Sequence, residues 1–248
     1  MSPAWRGAAL RFRGTPTSLS AVIRDWEAPR RLPVHLSQAA GPGFETLETI
    51  VARAASAEGR VEMRMSLPRQ TPPGIYEGVV VSESGERPVT VEVEPDVELE
   101  MVPGQLTLAG SPGERVNTGL TITNLGNVTV EIRHGYQFGV FAIGGMERAI
   151  GRTFAESSNE KAGSDRLFDN LAAEHGGLVR VEIEDGGGDL EPGETRDLTV
   201  AFRIPDAVDP ERTYTGTWSL HDLRYYVRLV PSAEGKPRSP ERRRKEAR

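Results

Sequence analysis

One stretch of this chain is written twice. Leu67-Pro68, a short gap, Pro73-Gly74-Ile75-Tyr76-Glu77-Gly78-Val79-Val80-Val81 and a closing Val91-Glu92-Val93-Glu94-Pro95 form the first copy. Ile204-Pro205, a short gap, Tyr214-Thr215-Gly216-Thr217-Trp218 and a closing Val227-Arg228-Leu229-Val230-Pro231 form the second. The offsets agree: 204 minus 67 is 137, 214 minus 76 is 138, and 227 minus 91 is 136. Two copies in register imply two domains on one plan, and 248 residues accommodate two domains of ordinary size. Period-two alternation within the copies makes that plan an antiparallel β-sandwich, so the chain is expected to be all-β.

The alternation places strands at Ala8–Arg13, Leu19–Trp26, Leu32–Leu36 and Arg60–Leu67, with a loop over Ala39–Gly43. A hairpin joins Ile75–Ser82 to Arg87–Glu94 around Glu83-Ser84-Gly85-Glu86. Phe44, Leu47, Ile50, Val51 and Ala54 fit helical spacing, but the corresponding Leu178–Ile183 is a clean strand, which favours a strand over Thr46–Ala52. The boundary falls near Pro95-Asp96, giving domains 1–95 and 96–231 without a long linker, then a charged tail 232–248 expected to be disordered. The second domain opens with a strand over Glu98–Leu108. Arg115–Asn124 and Asn127–Arg133 follow, joined by a tight turn at Asn124-Leu125-Gly126-Asn127. Further strands are expected at Tyr136–Ile143, Leu178–Glu184, Thr195–Ile204, Thr213–Leu220 and Leu223–Val230. The symmetry breaks at Gly144–Gly177, an insertion with a polar stretch Glu156–Lys161 and a short helix expected over Asp165–Glu174. An insertion this long is usually functional or mobile.

Composition narrows the function classes. There is no cysteine, which removes disulfides, thiolate catalysis and Cys-based zinc sites. Net charge is −6, yet Lys236–Arg248 alone carries seven Lys or Arg against two Glu, so the rest carries −11. An acidic body disfavours nucleic-acid or anionic-membrane binding on the folded part; the tail, with Arg242-Arg243-Arg244-Lys245, would supply at most a weak attraction to either. No apolar run reaches the roughly 18 residues of a membrane span, and Met1–Gly7 lacks the apolar core of a signal peptide.

Asn117–Ile132 reads NTGLTITNLGNVTVEI. It follows Ser111-Pro112-Gly113-Glu114 and precedes Leu190-Glu191-Pro192-Gly193-Glu194. With the Pro73–Gly78 motif, which is similar to the tyrosine corner of such sandwiches, this resembles the bacterial immunoglobulin-like modules of surface and envelope proteins. The resemblance covers both halves and implies two tandem immunoglobulin-like β-sandwiches, the second with a partly helical insertion, at the cell envelope or outside the cell. The layout is also similar to that of periplasmic pilus chaperones, although that family's basic anchoring residues and long donor strand are not evident in this sequence.

Candidate chemistry is thin. Asp185-Gly186-Gly187-Gly188-Asp189, with Glu191 and Glu194, offers oxygen ligands for calcium but lacks the alternating spacing of a calcium loop. His35, His134, His175 and His221 show no metal spacing. His221-Asp222 sits at a turn without a serine placed to complete a triad. Tyr214, Trp218, Tyr225 and Tyr226 would stack on sugars if exposed, but alternation puts Tyr214 and Trp218 inward. Asn127-Val128-Thr129 satisfies the glycosylation pattern. No catalytic residue, metal or cofactor is assigned. The expectation is a non-enzymatic structural or protein-interaction protein, a subunit or adaptor of a larger bacterial assembly, meeting its partner through Gly144–Gly177 or an edge strand. A carbohydrate-binding module and a pilus-type chaperone are the alternatives, and an enzyme using Glu156, Asp165 or Asp185 stays open.

Overall fold

The computed structural model describes residues 9–24, 31–38, 47–57, 60–82, 85–156, 160–221 and 223–232. The N-terminus Met1–Gly7, the loop Ala39–Gly43, the turn residues Glu83 and Ser84, the middle of the polar stretch (157–159), Asp222 and the basic tail from 233 onward lie outside them.

Contacts divide the chain into two compact units. One comprises Met1–Leu99, Asn124–Val130 and Leu190–Glu194; the other comprises Glu100–Thr123, Glu131–Asp189 and Thr195–Arg248. In the first, Leu10–Gly14 (β1), Leu19–Arg24 (β2), Arg31–Gln38 (β3), Leu47–Ala57 (β4), Arg60–Met65 (β5), Gly74–Ser82 (β6) and Gly85–Val93 (β7) pair in the order β1-β2-β5-β4-β3-β6-β7 and close into a barrel. Of the Thr46–Ala52 segment, Leu47–Ala52 are strand, within β4, and Thr46 lies outside the described residues. Inward-facing Leu10, Phe12, Leu19, Val34, Leu36, Met63, Tyr76 and Val91 fill the barrel core. Each such aliphatic or aromatic side chain contributes roughly 1.5–3 kcal/mol by burial.

Closure departs from the open sandwich expected. β1 runs parallel to β7 from Leu10↔Val89 to Gly14↔Val93, and it also meets β2 at Arg13↔Ser20. Gly14 permits this: its φ is +142°, and a Cβ there would strike the Ser18 carbonyl. A closed barrel offers no edge, so partner binding by strand addition does not apply to the described strands of this unit.

The second sheet is built from Leu99–Val102 (β8), Gln105–Gly110 (β9) and Arg115–Asn124 (β10), with Val130–Ile132 (β11) separate from it. Gly135–Ala142 (β12), the helices Gly145–Glu156 (α1) and Glu160–Ala173 (α2), and His175–Asp185 (β13) follow. Gly188–Leu190 (β14), Thr195–Arg203 (β15), Tyr214–Leu220 (β16) and Leu223–Pro231 (β17) complete the chain. The order is β8-β10-β15-β13-β12-β16-β17-β9, while β11 pairs only with β14. Trp218, fully buried, takes edge-to-face contacts from Tyr136, Phe202 and Tyr225 at centroid distances of 5.6, 5.8 and 6.1 Å.

The same pairings recur in both units. Hairpin β6–β7 corresponds to β16–β17, parallel β1–β7 to β9–β17, β3–β6 to β12–β16, β3–β4 to β12–β13, and β2–β5 to β10–β15. The repeated Tyr-x-Gly occupies the same place each time. Tyr76 and Tyr214 are buried, and each anchors the loop before it: Tyr76 Oη donates to the Pro72 carbonyl, and the Asp209 amide donates to Tyr214 Oη, both at 2.8 Å. Two residues on, Gly78 and Gly216 let a neighbouring strand approach. A Cβ on Gly78 would overlap the His35 carbonyl, and one on Gly216 would lie 2.6 Å from the Gly139 carbonyl.

Two sequence expectations change. Glu98–Leu108 is not one strand, because the chain turns at the cis Val102–Pro103 bond between β8 and β9. Asn124–Asn127 is not a tight hairpin, because β10 pairs with β15 and the tetrad lies along segment 94–98. Leu125 and Gly126 donate to the Glu98 carbonyl, and Asn127 donates to that of Asp96. The buried Asn127 side chain accepts from the Asp96 amide at 2.7 Å and donates to the carbonyls of Thr71 and Glu94 at 3.0 Å. Asn124, also buried, accepts from the Gly126 amide and donates to the carbonyls of Val128 and Leu190.

Gly78→Ala is expected to cost about 3 kcal/mol or more, since backbone rather than a movable side chain opposes the methyl. Gly119→Ala, where a Cβ meets nothing within 4 Å, is expected to stay within about 1 kcal/mol of wild type. Urea unfolding of the two variants compares them.

Candidate functional site

The insertion folds as a helical hairpin, α1 followed by α2. The sequence foresaw a helix only over Asp165–Glu174; α1 is additional. Gly144, at φ +68°, ends the strand that precedes it, and Glu147 places an acid in the first turn, where the helix dipole favours it. Ala149 and Thr153 form the buried side of α1. Thr153 Oγ1 donates to the Ala149 carbonyl at 2.8 Å and accepts from Asn170 of α2 at 3.1 Å, so small and polar groups hold the helices together.

The large apolar side chains point the other way. Met146, Ile150 and Phe154 recur every four residues along α1 and are 65, 39 and 81% exposed; Phe168 on α2 is 71% exposed. Met146, Ile150 and Phe154 make an apolar stripe along α1, and Phe168 adds an exposed aromatic on α2; exposed apolar surface of this kind marks interaction sites.

The hairpin is tied down by one carboxylate. Glu174, at the end of α2, has a side chain only 2% exposed. Its Oε2 accepts from Arg148 at 2.7 Å and from Arg212 at 2.9 Å, while Oε1 lies 3.2 Å from the Arg152 guanidinium. Arg148 also donates to the Ile143 carbonyl, and Arg212 pairs with Asp209 at 3.2 Å. The Arg148 hydrogen bond, opposed by burial, with Arg212 and Arg152 adding to it, holds the Glu174 carboxyl below the usual carboxylate range. No sequence motif announced this cluster, whose members span 148 to 212.

The residues singled out from sequence are used locally. Glu194 accepts from the Glu191 amide, Glu191 accepts from Thr129, and Arg196 covers the carbonyls of Gly186, Gly187 and Asp189. Among the described residues no group of three His, Asp or Glu is arranged to hold a metal ion. His134 bonds the Ile183 carbonyl and His221 that of Glu131; His175 accepts from the Gly177 amide and packs on Phe141 at 4.7 Å; His35 lies on the outer face of β3. Tyr214, Trp218 and Tyr225 are buried, which leaves Tyr226 as the exposed member of that aromatic group, so these four rings do not form a sugar-stacking platform. Asn127 is buried with its amide fully engaged, so it does not present a glycan acceptor. Asp165 lies exposed on α2, and Glu156 ends α1. No described helix is long and apolar enough to cross a membrane.

No protein-family model matches the chain, and no curated protein matches it. Among solved structures it is similar to a protein of unknown function from Porphyromonas gingivalis, at 13% identity over 91% of this chain and 97% of that one, with a TM-score of 0.27. The titin Z1Z2 domains in complex with telethonin match at 12% identity over 91% and 94%, with a TM-score of 0.25. The teleost fish polymeric Ig receptor ectodomain matches at 9% identity over 90% and 98%, with a TM-score of 0.24. At these scores the likenesses carry no argument, and the architecture rests on the strand pairings themselves.

Glu174→Gln is expected to destabilise the protein by about 2 kcal/mol at pH 7, as for other hydrogen bonds to charged groups. Because the folded carboxyl titrates below its unfolded value, near 4.3 for a free Glu, the contribution is complete above that value. It is lost as pH falls through the depressed folded value. Urea midpoints from pH 7 to pH 3 should show wild type and variant converging in acid.

Proposed function

We propose that this chain is a non-enzymatic protein-interaction or structural protein, built as a tandem pair of immunoglobulin-like units, that grips its partner with the helical hairpin of the second. One observation carries this reading: Met146, Ile150, Phe154 and Phe168 are exposed on a hairpin fastened by a buried carboxylate. A helix presenting anchors at i, i+4 and i+8 suits a groove on a partner protein, and the clamp lowers the entropy lost when the surface is covered. The recurring strand pairings and loop-anchoring tyrosines support the tandem immunoglobulin-like plan. The non-enzymatic reading is supported by the local engagement of His134, His175, His221, Glu191 and Glu194. The finer role, a subunit or adaptor of a bacterial envelope assembly, rests on the sequence resemblance.

Substituting Met146, Phe154 and Phe168 together by Ser is expected to leave stability within about 1 kcal/mol, as for other exposed positions. It should weaken a purified partner's affinity roughly tenfold or more. The partner is identified by mass spectrometry of material co-purifying with the full chain, then titrated against both proteins. Unchanged affinity would remove the hairpin from the interaction.

A further inference from the structure

Three arginines stand side by side on the outer face of the second sheet. Arg115 of β10 is directly opposite Arg203 of β15, which is directly opposite Arg180 of β13. Like charges facing each other across strands destabilise a sheet, so such a row calls for counter-charge. Arg115 has it, donating to Glu182 at 2.8 Å and also to Glu184, whose other oxygen takes Asn117 at 3.2 Å. Arg180 and Arg203 do not: both are exposed, and among the described residues neither has an ion pair or side-chain hydrogen bond. Two adjacent guanidinium forks on a body of opposite net charge are left without an anion.

The surroundings define the anion. Arg180 and Arg203 together line two adjoining cavities. One, of about 200 Å3, is polar and includes Arg115 and Glu182. The other, of about 370 Å3, has apolar walls from Leu178, Pro205 and Ala207. Leu178 is 52% exposed. A bare anion would use the arginines and leave that apolar wall wet. A long polyanion would meet Glu182 and Asp206, which line the cavities on either side of the pair. A planar carboxylate matches the guanidinium fork in bidentate fashion, and an apolar side chain beside it would cover Leu178.

We infer that Arg180 and Arg203 form a binding site for an acidic peptide segment of a partner protein, one that places Asp or Glu side chains on the two guanidinium groups and a neighbouring apolar side chain against Leu178, Pro205 and Ala207. This site is separate from the hairpin face and does not depend on it.

The test is fluorescence polarisation with the full chain at low salt, using labelled extended peptides that carry Glu-Glu-Leu, Gln-Gln-Leu or Glu-Glu-Ser at their centre. Glu-Glu-Leu is expected to bind roughly tenfold or more tighter than Gln-Gln-Leu, and measurably tighter than Glu-Glu-Ser. Arg180→Gln with Arg203→Gln should abolish the preference for Glu without lowering the melting temperature, because a repelling pair has been removed. Arg180→Lys with Arg203→Lys, which keeps charge and volume, should retain only part of the preference, since the fork is lost. The Ser variants of Met146, Phe154 and Phe168 should bind the peptides as wild type does, which separates this site from the hairpin. Equal binding of the Glu and Gln peptides, or a Glu preference that survives the double Gln variant, overturns the proposal. Equal binding of the Leu and Ser peptides, with inorganic phosphate displacing both alike, also overturns it, because the site would then be one for small anions.

Discussion

A carboxylate taken out of water costs several kcal/mol unless cations meet it, and Glu174 is met by Arg148, Arg152 and Arg212. Ordinary helices are held on a protein by their apolar face. The α1 helix turns its apolar stripe away and keeps Ala149 and Thr153 inside, so packing of that kind is not what holds it. Charge substitutes for it. The cations come from α1 and from the segment before β16, while the carboxylate ends α2, so a single group secures both helices to the sheet. The site is therefore rigid at its base and apolar at its surface, a pairing that neither feature would achieve alone.

The two units show how a short motif can govern a large pairing scheme. A buried tyrosine anchors the incoming loop, and the glycine two residues later admits the neighbouring strand. From there the same parallel closing strand and the same partners follow in both units. Where they differ, backbone freedom accounts for it: Gly14 brings β1 onto β2 in the first unit, whereas no pairing joins β9 to β10 in the second.

Much of this was legible in the chain. The repeat located the hairpins, and alternation placed Tyr214 and Trp218 inward. Comparing the halves was enough to make β4 a strand against its helical spacing, because side-chain period in a short apolar run cannot separate the two. The turn at Asn124-Leu125-Gly126-Asn127 was misread because its residue types suit a tight hairpin; the asparagine side chains instead reach backbone groups distant in sequence, Asn127 those of Asp96, Glu94 and Thr71 and Asn124 that of Leu190. The α1 helix was missed although Met146, Ile150 and Phe154 carry helical spacing, since a polar, glycine-containing stretch without a buried face gives a weak signal. The arginine row and the Glu174 cluster were illegible in principle. Each depends on register between strands or loops that only folding brings together.

Closure of the first unit has a consequence for behaviour in a crowded cell. A sheet with two ends is a template on which further copies can grow, and proteins that keep one must blunt it with short strands, charge or twist. The β1 strand pairs with β7 along its length and meets β2 at Arg13↔Ser20. At elevated temperature or concentration, the closed barrel offers no sheet end on which further copies could grow. Any fibrillar or domain-swapped association would begin at β8 or β9, the ends of the eight-stranded sheet.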